Sequence, residues 1–309
     1  MVDKKIIQDI MKKVRQRVLI LVINDIHVGS IHAICSAKPI AEGKRYTPNK
    51  SQKILLKGFL QCLARFKDQA PDIIIINGKP IDGNNKKGFS KELWSQELVD
   101  QVRDFVKLFK LIPQKYRDPK TNKIFSANYE EAKKVAGAVK ITKTYLTRGS
   151  SYHVDIEGTP IEEFVGDYID AESINNLKAS YHIQMRINDK LLSFAHETGY
   201  SKNYPARGNR LAQEWTTHSA TVHSKDRWDF SCRAHVHQIN ERGLGSKWRG
   251  ISCPAWKYSL GDYFERHGPS GAPADIGMTM IEVPVKGDIS YEFLIPDGVA
   301  LRNKVIEYQ

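Results

Sequence analysis

The stretch Arg17-Val-Leu-Ile-Leu-Val-Ile-Asn-Asp-Ile-His27 decides the fold. Val18 to Ile23 is an unbroken run of β-branched residues and Leu. It leaves no polar face for water, so it predicts a strand covered on both sides, as in a layered α/β sheet. Asp25 and His27 come directly after that strand, where a carboxylate and an imidazole can serve chemistry.

Further along the chain the same arrangement recurs. Ile73 to Ile76 predicts a second buried strand, followed by Gly78-Lys79-Pro80-Ile81-Asp82-Gly83. A strand near Ile141 to Thr147 is followed by Arg148-Gly149-Ser150-Ser151-Tyr152-His153. Leu191 to Ala195 ends at His196, and Asp229 to Ala234 runs into His235 and His237. Met278 to Val285 and Ile289 to Leu294 are further strands, and Tyr181 to Ile187 alternates as a half-buried one. Helical spacing of apolar residues marks 1–16, 51–66, 91–111, Tyr129 to Val139 and Arg210 to about Val222. Thr159 and Glu162 read as a capping box opening a helix through Phe164, Val165 and Tyr168. Strands alternating with helices predict parallel pairs in an α/β domain built on two sheets, spanning 1–309. In that reading 1–16 is an N-terminal helix, and 238–309 holds loops and strands that complete the second sheet.

Composition narrows the class. The chain has 309 residues, 41% hydrophobic and 27% charged, which suits a folded soluble protein. No apolar run approaches the ~18 residues of a membrane span, so no membrane partner is expected. The first residues lack the apolar core of a secretory signal. Four scattered cysteines, none at Cys-x-x-Cys spacing, imply reduced thiols in a cytoplasmic protein and no zinc knuckle. The formal net charge of +12 favours anionic partners.

In an open α/β sheet the loops beyond the carboxyl ends of the strands converge on one crevice. Carboxylates and imidazoles gathered there suit Mn, Fe, Zn or Ni better than Ca. In their order along the chain, these strand-end groups resemble the calcineurin-like metallophosphoesterase superfamily. The resemblance runs from about Val18 to His237 and follows Asp-x-His, Gly-Asp, Gly-Asn-His, a lone His and Gly-His-x-His. The segment around Pro254, Trp256 and Gly277 is similar to phage-type members. The resemblance implies a four-layer α/β/β/α sandwich, two mixed sheets face to face with helices outside, and hydrolysis of phosphate esters at one or two divalent transition-metal ions, Mn foremost. It implies that Asp25, His27 and His237 hold the first ion and that His196 and His235 hold the second. His153 would protonate the leaving oxygen, and Arg148 stands beside it as a second catalytic candidate.

Two departures are chemical. Lys79 stands where the family has its bridging Asp. An ammonium does not ligate, and ~4 Å from a +2 ion it costs roughly 8 kcal/mol at an effective dielectric near 20. Lys79 therefore turns away, sits neutral, or takes the place of one ion. Asp82, three residues on, is a candidate substitute ligand. In place of Gly-Asn-His the chain has Gly149-Ser150-Ser151-Tyr152-His153, with Ser150 as a hydroxyl alternative.

Basic loops follow the strand ends: Lys38, Lys44, Arg45, Lys50 and Lys53; Lys86, Lys87 and Lys91; Lys202, Arg207 and Arg210; Arg242, Lys247 and Arg249. Convergence would give a positive mouth, with Lys44, Arg45, Arg207 and Arg210 on the substrate. Trp215, Trp228, Trp248 and Trp256 are candidate stacking surfaces for bases. His182 is expected to face solvent, and His32, His218, His223 and His267 carry no role. The leading expectation is a phosphodiesterase or nuclease on a nucleic-acid-like substrate. Its rivals are an inactive nucleic-acid-binding descendant and a protein or nucleotide phosphatase.

Overall fold

Strand β1 (Arg17–Asn24) uses both faces of its apolar run. Leu19, Leu21 and Ile23 pack on one face against helices, while Ile20 and Val22 pack on the other against a second sheet. The computed structural model describes residues 17–84, 92–150, 161–197, 209–244, 247–258 and 274–299. The expected N-terminal helix 1–16, the Thr159 cap, His153, His267, Arg207, Lys86, Lys87, Lys91 and Lys202 lie outside those residues.

The first sheet adds β2 (Ile73–Asn77), β3 (Lys143–Thr147) and β4 (Ala179–Ser180), each parallel to its neighbour on the side of β1 that carries them. The second contains β5 (His182–Ile187), β6 (Lys190–Ala195), β7 (Phe230–Arg233), β8 (Asn240–Gly243) and β9 (Arg249–Ser252). Its order is β5-β6-β7-β9-β8, parallel through β6, β7 and β9 with antiparallel edges. Two last strands, β10 (Met278–Pro284) and β11 (Ser290–Leu294), return to the first sheet, whose order is β11-β10-β1-β2-β3-β4. The expectation that everything after 238 completes the second sheet is thus corrected. Only β8 and β9 do so; β10 pairs antiparallel with β1, placing Ile281 and Val283 in the core between the sheets.

Both sheets are mixed, and helices cover their outer faces. Helices α1 (Lys50–Ala64), α2 (Leu98–Phe109) and α3 (Ile161–Tyr168) bury Leu55, Phe59, Val102, Phe105, Ile161 and Val165 against the first sheet. Helix α4 (Asn209–Thr221) sets Leu211 and Trp215 with Leu191, Trp228 and Trp248 on the second. The fold is therefore the expected four-layer α/β/β/α arrangement. Between the sheets, Phe194, Phe230, Leu192 and Ile75 meet Ile20, Val22 and Ile281.

Three element expectations change. The helix read over Tyr129 to Val139 is a single turn, Tyr129–Ala132, capped by Asn128 and Glu131. Gly137 takes φ +76°, and Val139–Lys140 instead pairs with Tyr116 and Arg117 in a small sheet with 124–127. Helix α2 begins at Leu98 rather than 91, because Leu93 bridges to Ser30 and the Trp94 N–H donates to the Gly29 carbonyl. Tyr181 is 70% exposed and lies ahead of β5 rather than in its buried row. Cys35, Cys62, Cys232 and Cys253 are buried free thiols. Among the described residues no helix is long and apolar enough to cross a membrane.

Phe194 is fully buried between the sheets. Phe194→Ala is expected to lower unfolding free energy by about 3–5 kcal/mol, read from urea denaturation. A loss under ~1 kcal/mol would show that the sheets do not depend on this contact.

Candidate metal centre

The parallel strands β1, β2 and β3 of one sheet and β6 and β7 of the other deliver their carboxyl ends to one crevice. Beneath it lies a buried polar row, Asn24, Asn77 and Thr147, paired in register across β1, β2 and β3. The Thr147 hydroxyl donates to Asn77 Oδ1 at 2.8 Å. Immediately above, the backbone leaves the strand region. Asp25 (φ +43°), His27 (+52°), Lys79 (+35°), His235 (+71°) and His237 (+54°) all take left-handed conformations. For non-glycine residues each costs on the order of 1 kcal/mol or more, a strain typical of functional sites.

Backbone hydrogen bonds hold these turns together. The His27 N–H donates to the Lys79 carbonyl (2.9 Å), Ala234 N–H to His196 carbonyl (3.1 Å), and Trp256 N–H to Asp25 carbonyl (3.1 Å). Gly78 is required twice. It sits at φ +80°, and a Cβ there would fall 2.1 Å from His196 Nδ1. The His196 ring thus packs directly on the glycine backbone.

Asp25 is the hub. It is fully buried, and its Oδ2 accepts the His235 N–H at 2.8 Å. Its Oδ1 faces His27 Nε2 at 3.5 Å, His237 Nε2 at 3.6 Å and His196 Nδ1 at 3.7 Å. Donor atoms of Asp25, His27 and His237 all lie within 4.8 Å of one another. Asp25 Oδ1 and His196 Nδ1 have no hydrogen-bond partner among the described residues. Oxygen and nitrogen donors gathered around such orphaned buried atoms fit a cation of the transition-metal kind. Burial alone would push the Asp25 carboxyl up. The His196 and His237 imidazoles outweigh it and hold the group well below the usual carboxylate range.

Asp82 lies beside His27. Its Oδ1 meets His27 Nδ1 at 2.5 Å, so its carboxylate turns the other ring nitrogen of His27 toward Asp25. This is how carboxylates orient metal-binding histidines. Lys257 Nζ donates to the same oxygen at 2.8 Å. No motif in the sequence marks Lys257; it reaches the site because 255–258 crosses the end of β1. Glu162, read as part of a capping box, is also at the site. Its carboxylate is buried and accepts the Gly149 N–H at 2.9 Å.

Lys79 does not turn away. It is 4% exposed, and its Nζ lies 3.4 Å from His235 Nδ1, which in turn lies 3.2 Å from His196 Nε2. Gly149 makes room for it, since a Cβ there would meet Lys79 Cγ at 2.6 Å. Burial lowers the Lys79 pKa from its ordinary value, with Asp25 opposing that shift. Burial, and Lys79 beside it, brings His235 down to about 4. His196, buried and next to Lys79, falls to about 3 in spite of Asp25. Both rings are therefore neutral at pH 7. Ser150 is buried near them, and its hydroxyl has no partner among the described residues.

Other candidates lie elsewhere. The Arg148 guanidinium pairs with Glu163 at 2.7 Å, donates to the Ala179 carbonyl and lies over Tyr181, at the β4 edge. None of these partners belongs to the cluster. Lys44 and Arg45 are exposed on a short ribbon with Ile40–Ala41. Arg210, exposed on the first turn of α4, is the exception, since it lines the same cavity as His235 and Ser150. The expectation that all the basic loops converge is corrected by strand direction. Phe230 pairs with Arg249 and Arg233 with Ser252, so Arg249 lies at the end of the sheet away from His235. Arg242, opposite Gly250, is near that end too. Trp228, Trp248 and Trp256 are buried in the cores, and Trp215 stacks on Trp248, so none of the four is a free stacking surface. His182 is exposed, as expected, and also makes contacts. Its Nε2 contacts Ser193 Oγ at 2.8 Å and its ring meets Trp228 edge-on. His218 stacks on the same tryptophan at 3.7 Å.

No protein-family model and no curated protein matches the chain. Solved structures give likenesses at low identity. Vps29 of Entamoeba histolytica complexed with zinc aligns at TM-score 0.36 and 12% identity, covering 89% of this chain and 97% of that one. A conserved Streptococcus pneumoniae protein, described as a predicted phosphoesterase, aligns at 0.34 and 7%, covering 91% and 94%. GAP50, the anchor in the inner membrane complex of Plasmodium, aligns at 0.45 and 11%, covering 93% and 87%.

Two outcomes follow from this geometry. Gly78→Ala is expected to cost about 1–2 kcal/mol of left-handed strain and to displace His196, measured as a lower urea midpoint; an unchanged midpoint would refute the packing described. The second is pH dependence. His182 and His235 (about 4) and His196 (about 3) lie below the ordinary value of 6.5. Below pH 6.5 the unfolded chain gains protons that the folded one does not, so stability present above 6.5 declines as pH falls toward 4. Metal-free protein unfolded by urea at neutral pH and near pH ~5 should show this loss; equal midpoints would contradict it.

Proposed function

We propose that the chain is a metal-dependent phosphoesterase of the calcineurin-like superfamily that cleaves phosphodiesters of nucleotide chemistry. The observation that supports this most is the convergence on Asp25. Four histidines, from the carboxyl ends of three strands in two sheets, meet around one buried carboxylate. Asp25, His27 and His237 would hold one divalent ion, Mn foremost, with Asp82 orienting His27. A bound ion supplies Lewis-acid stabilisation of charge developing on the phosphoryl oxygens.

The remaining work falls to the chain itself. Lys79 stands against the His196–His235 pair, where a second ion would otherwise bind. In this reading its N–H donors contact a phosphoryl oxygen, as a fixed protein group in place of a second ion. His196 and His235, neutral at pH 7, orient the phosphoryl group and can accept a proton at a ring nitrogen. His153, outside the described residues, is the general acid in this reading. Arg148, bound to Glu163, is assigned a structural role at the sheet edge. A second reading, a nucleic-acid-binding protein without catalysis, draws its support from Lys79 alone.

The test is metal stoichiometry together with hydrolysis of bis-(p-nitrophenyl) phosphate in Mn²⁺. The chain is expected to bind one ion and to turn over slowly. Lys79→Asp should bind two and turn over at least tenfold faster, and Asp25→Asn should bind none. Two ions on the unaltered chain would show that Lys79 does not stand in for the second ion, and no hydrolysis by any form would favour the second reading.

A further inference from the structure

A cavity of about 980 Å³ opens beside the centre, outside the ligand cluster around Asp25. Its floor includes His235 and Ser150, and its wall is one face of α4, with Asn209, Arg210, Gln213 and Thr217. The helix presents that face for a simple reason. Leu211, Trp215 and His218 recur at spacings of four and three and turn inward, onto Trp228 and Trp248. Positions 210, 213 and 217 then fall on the opposite side.

The wall is tied to the centre. Arg233, fully buried two residues before His235, binds Glu214 of α4 through Nε at 2.9 Å and Nη2 at 2.7 Å. It also donates to the Ser193 carbonyl and hydroxyl, at 3.1 and 3.0 Å. Strand β7 thus fixes helix and imidazole with respect to one another, which is the preorganisation a binding site needs.

Among the described residues the lining is not that of a polyanion track, which neutralises successive phosphates with Lys and Arg. Among the described lining residues Arg210 is the one cation, and Glu197 and Glu214 oppose it. Glu214 is itself compensated by Arg233. The rest are hydroxyls and amides, apart from Ala212 and His235. Such a surface suits an uncharged group rich in hydrogen-bonding atoms. The volume is at the upper end of the ~300–1,000 Å³ typical of small-ligand pockets.

We propose that this cavity is the subsite for the nucleoside half of a small phosphodiester, held by hydrogen bonds from Asn209, Gln213 and Thr217 while its phosphoryl group lies at His235. The assignment rests on the phosphoesterase reading for the position of the phosphoryl group, but not for the chemistry of the wall. It places the substrate among nucleotide-sized esters rather than long duplexes.

Calorimetric titration of the full chain tests it, with and without Mn²⁺, using adenosine 5′-monophosphate, ribose 5-phosphate and inorganic phosphate as probes. The monophosphate is expected to bind at least tenfold more tightly than inorganic phosphate. Gln213→Ala/Thr217→Ala, both on the face of α4 turned away from the core, should abolish that preference and leave the affinity for inorganic phosphate unchanged. Gln213→Glu, should the double variant fail to fold, must also weaken the monophosphate. Equal binding of the monophosphate and inorganic phosphate overturns the subsite, even if bis-(p-nitrophenyl) phosphate is hydrolysed. So does a preference that survives these substitutions, or tighter binding of duplex DNA with a steep salt dependence. Selective binding without hydrolysis of any ester sustains the subsite and removes the catalytic reading instead.

Discussion

The centre depends on the Asp25 carboxylate being held, fully buried, between two sheets. One oxygen accepts the His235 N–H from the second sheet. The other faces imidazoles from both sheets, His27 on one side and His196 and His237 on the other. An ionised carboxylate without compensation is among the most costly groups to bury. The His235 N–H and the nearby Lys79 amine, whose pKa Asp25 raises, oppose that cost, and the same constraint dictates much of the architecture. The strand ends must converge, the turns above them must be tight, and segment 255–258 must cross the end of β1, where Trp256 donates to the Asp25 carbonyl.

Lys79 reads differently in that setting than in the sequence. In the linear chain, an ammonium where the resemblance leads one to expect a carboxylate looks like a lesion. In the fold, the surroundings accommodate it: Gly149 leaves space along its stem, Glu162 lies nearby, and Asp25 opposes the fall in its pKa. Left-handed backbone at Lys79 and Gly78 delivers the amine to His235 and the His196 ring to the glycine. The site is therefore organised around one cluster of candidate cation ligands, Asp25, His27 and His237, and one buried amine.

A second buried charge, Arg233, has an analogous role on the outer face of the second sheet. It anchors Glu214 and the Ser193 hydroxyl, and Ser193 in turn meets His182. This couples α4 to the strand that carries His235, so the helix that walls the cavity and the ring on its floor are positioned by the same residue. Arg233 lies in the motif Arg-Ala-His-Val-His, yet nothing in the linear pattern distinguishes an arginine that faces a helix from one that faces solvent.

The buried strands and the groups that follow them were legible in the linear chain. A run such as Val18 to Ile23 can be stable only between two apolar layers, and Asp25, His27, His196, His235 and His237 each lie within a few residues of a strand's end. Those are local facts, set by side-chain period and chain adjacency. Everything that depends on strand order and direction had to wait for the fold. Because β9 runs parallel to β7, Arg249 is at the far end of the sheet; because β10 pairs with β1, the chain's last strands join the first sheet rather than the second. Arg148 went to Glu163, Asp82 to His27 and the tryptophans to the cores, because each of these outcomes is a contact between segments separated along the chain. Residue type sets which contacts are possible there, and only the packing of the sheets selects among them.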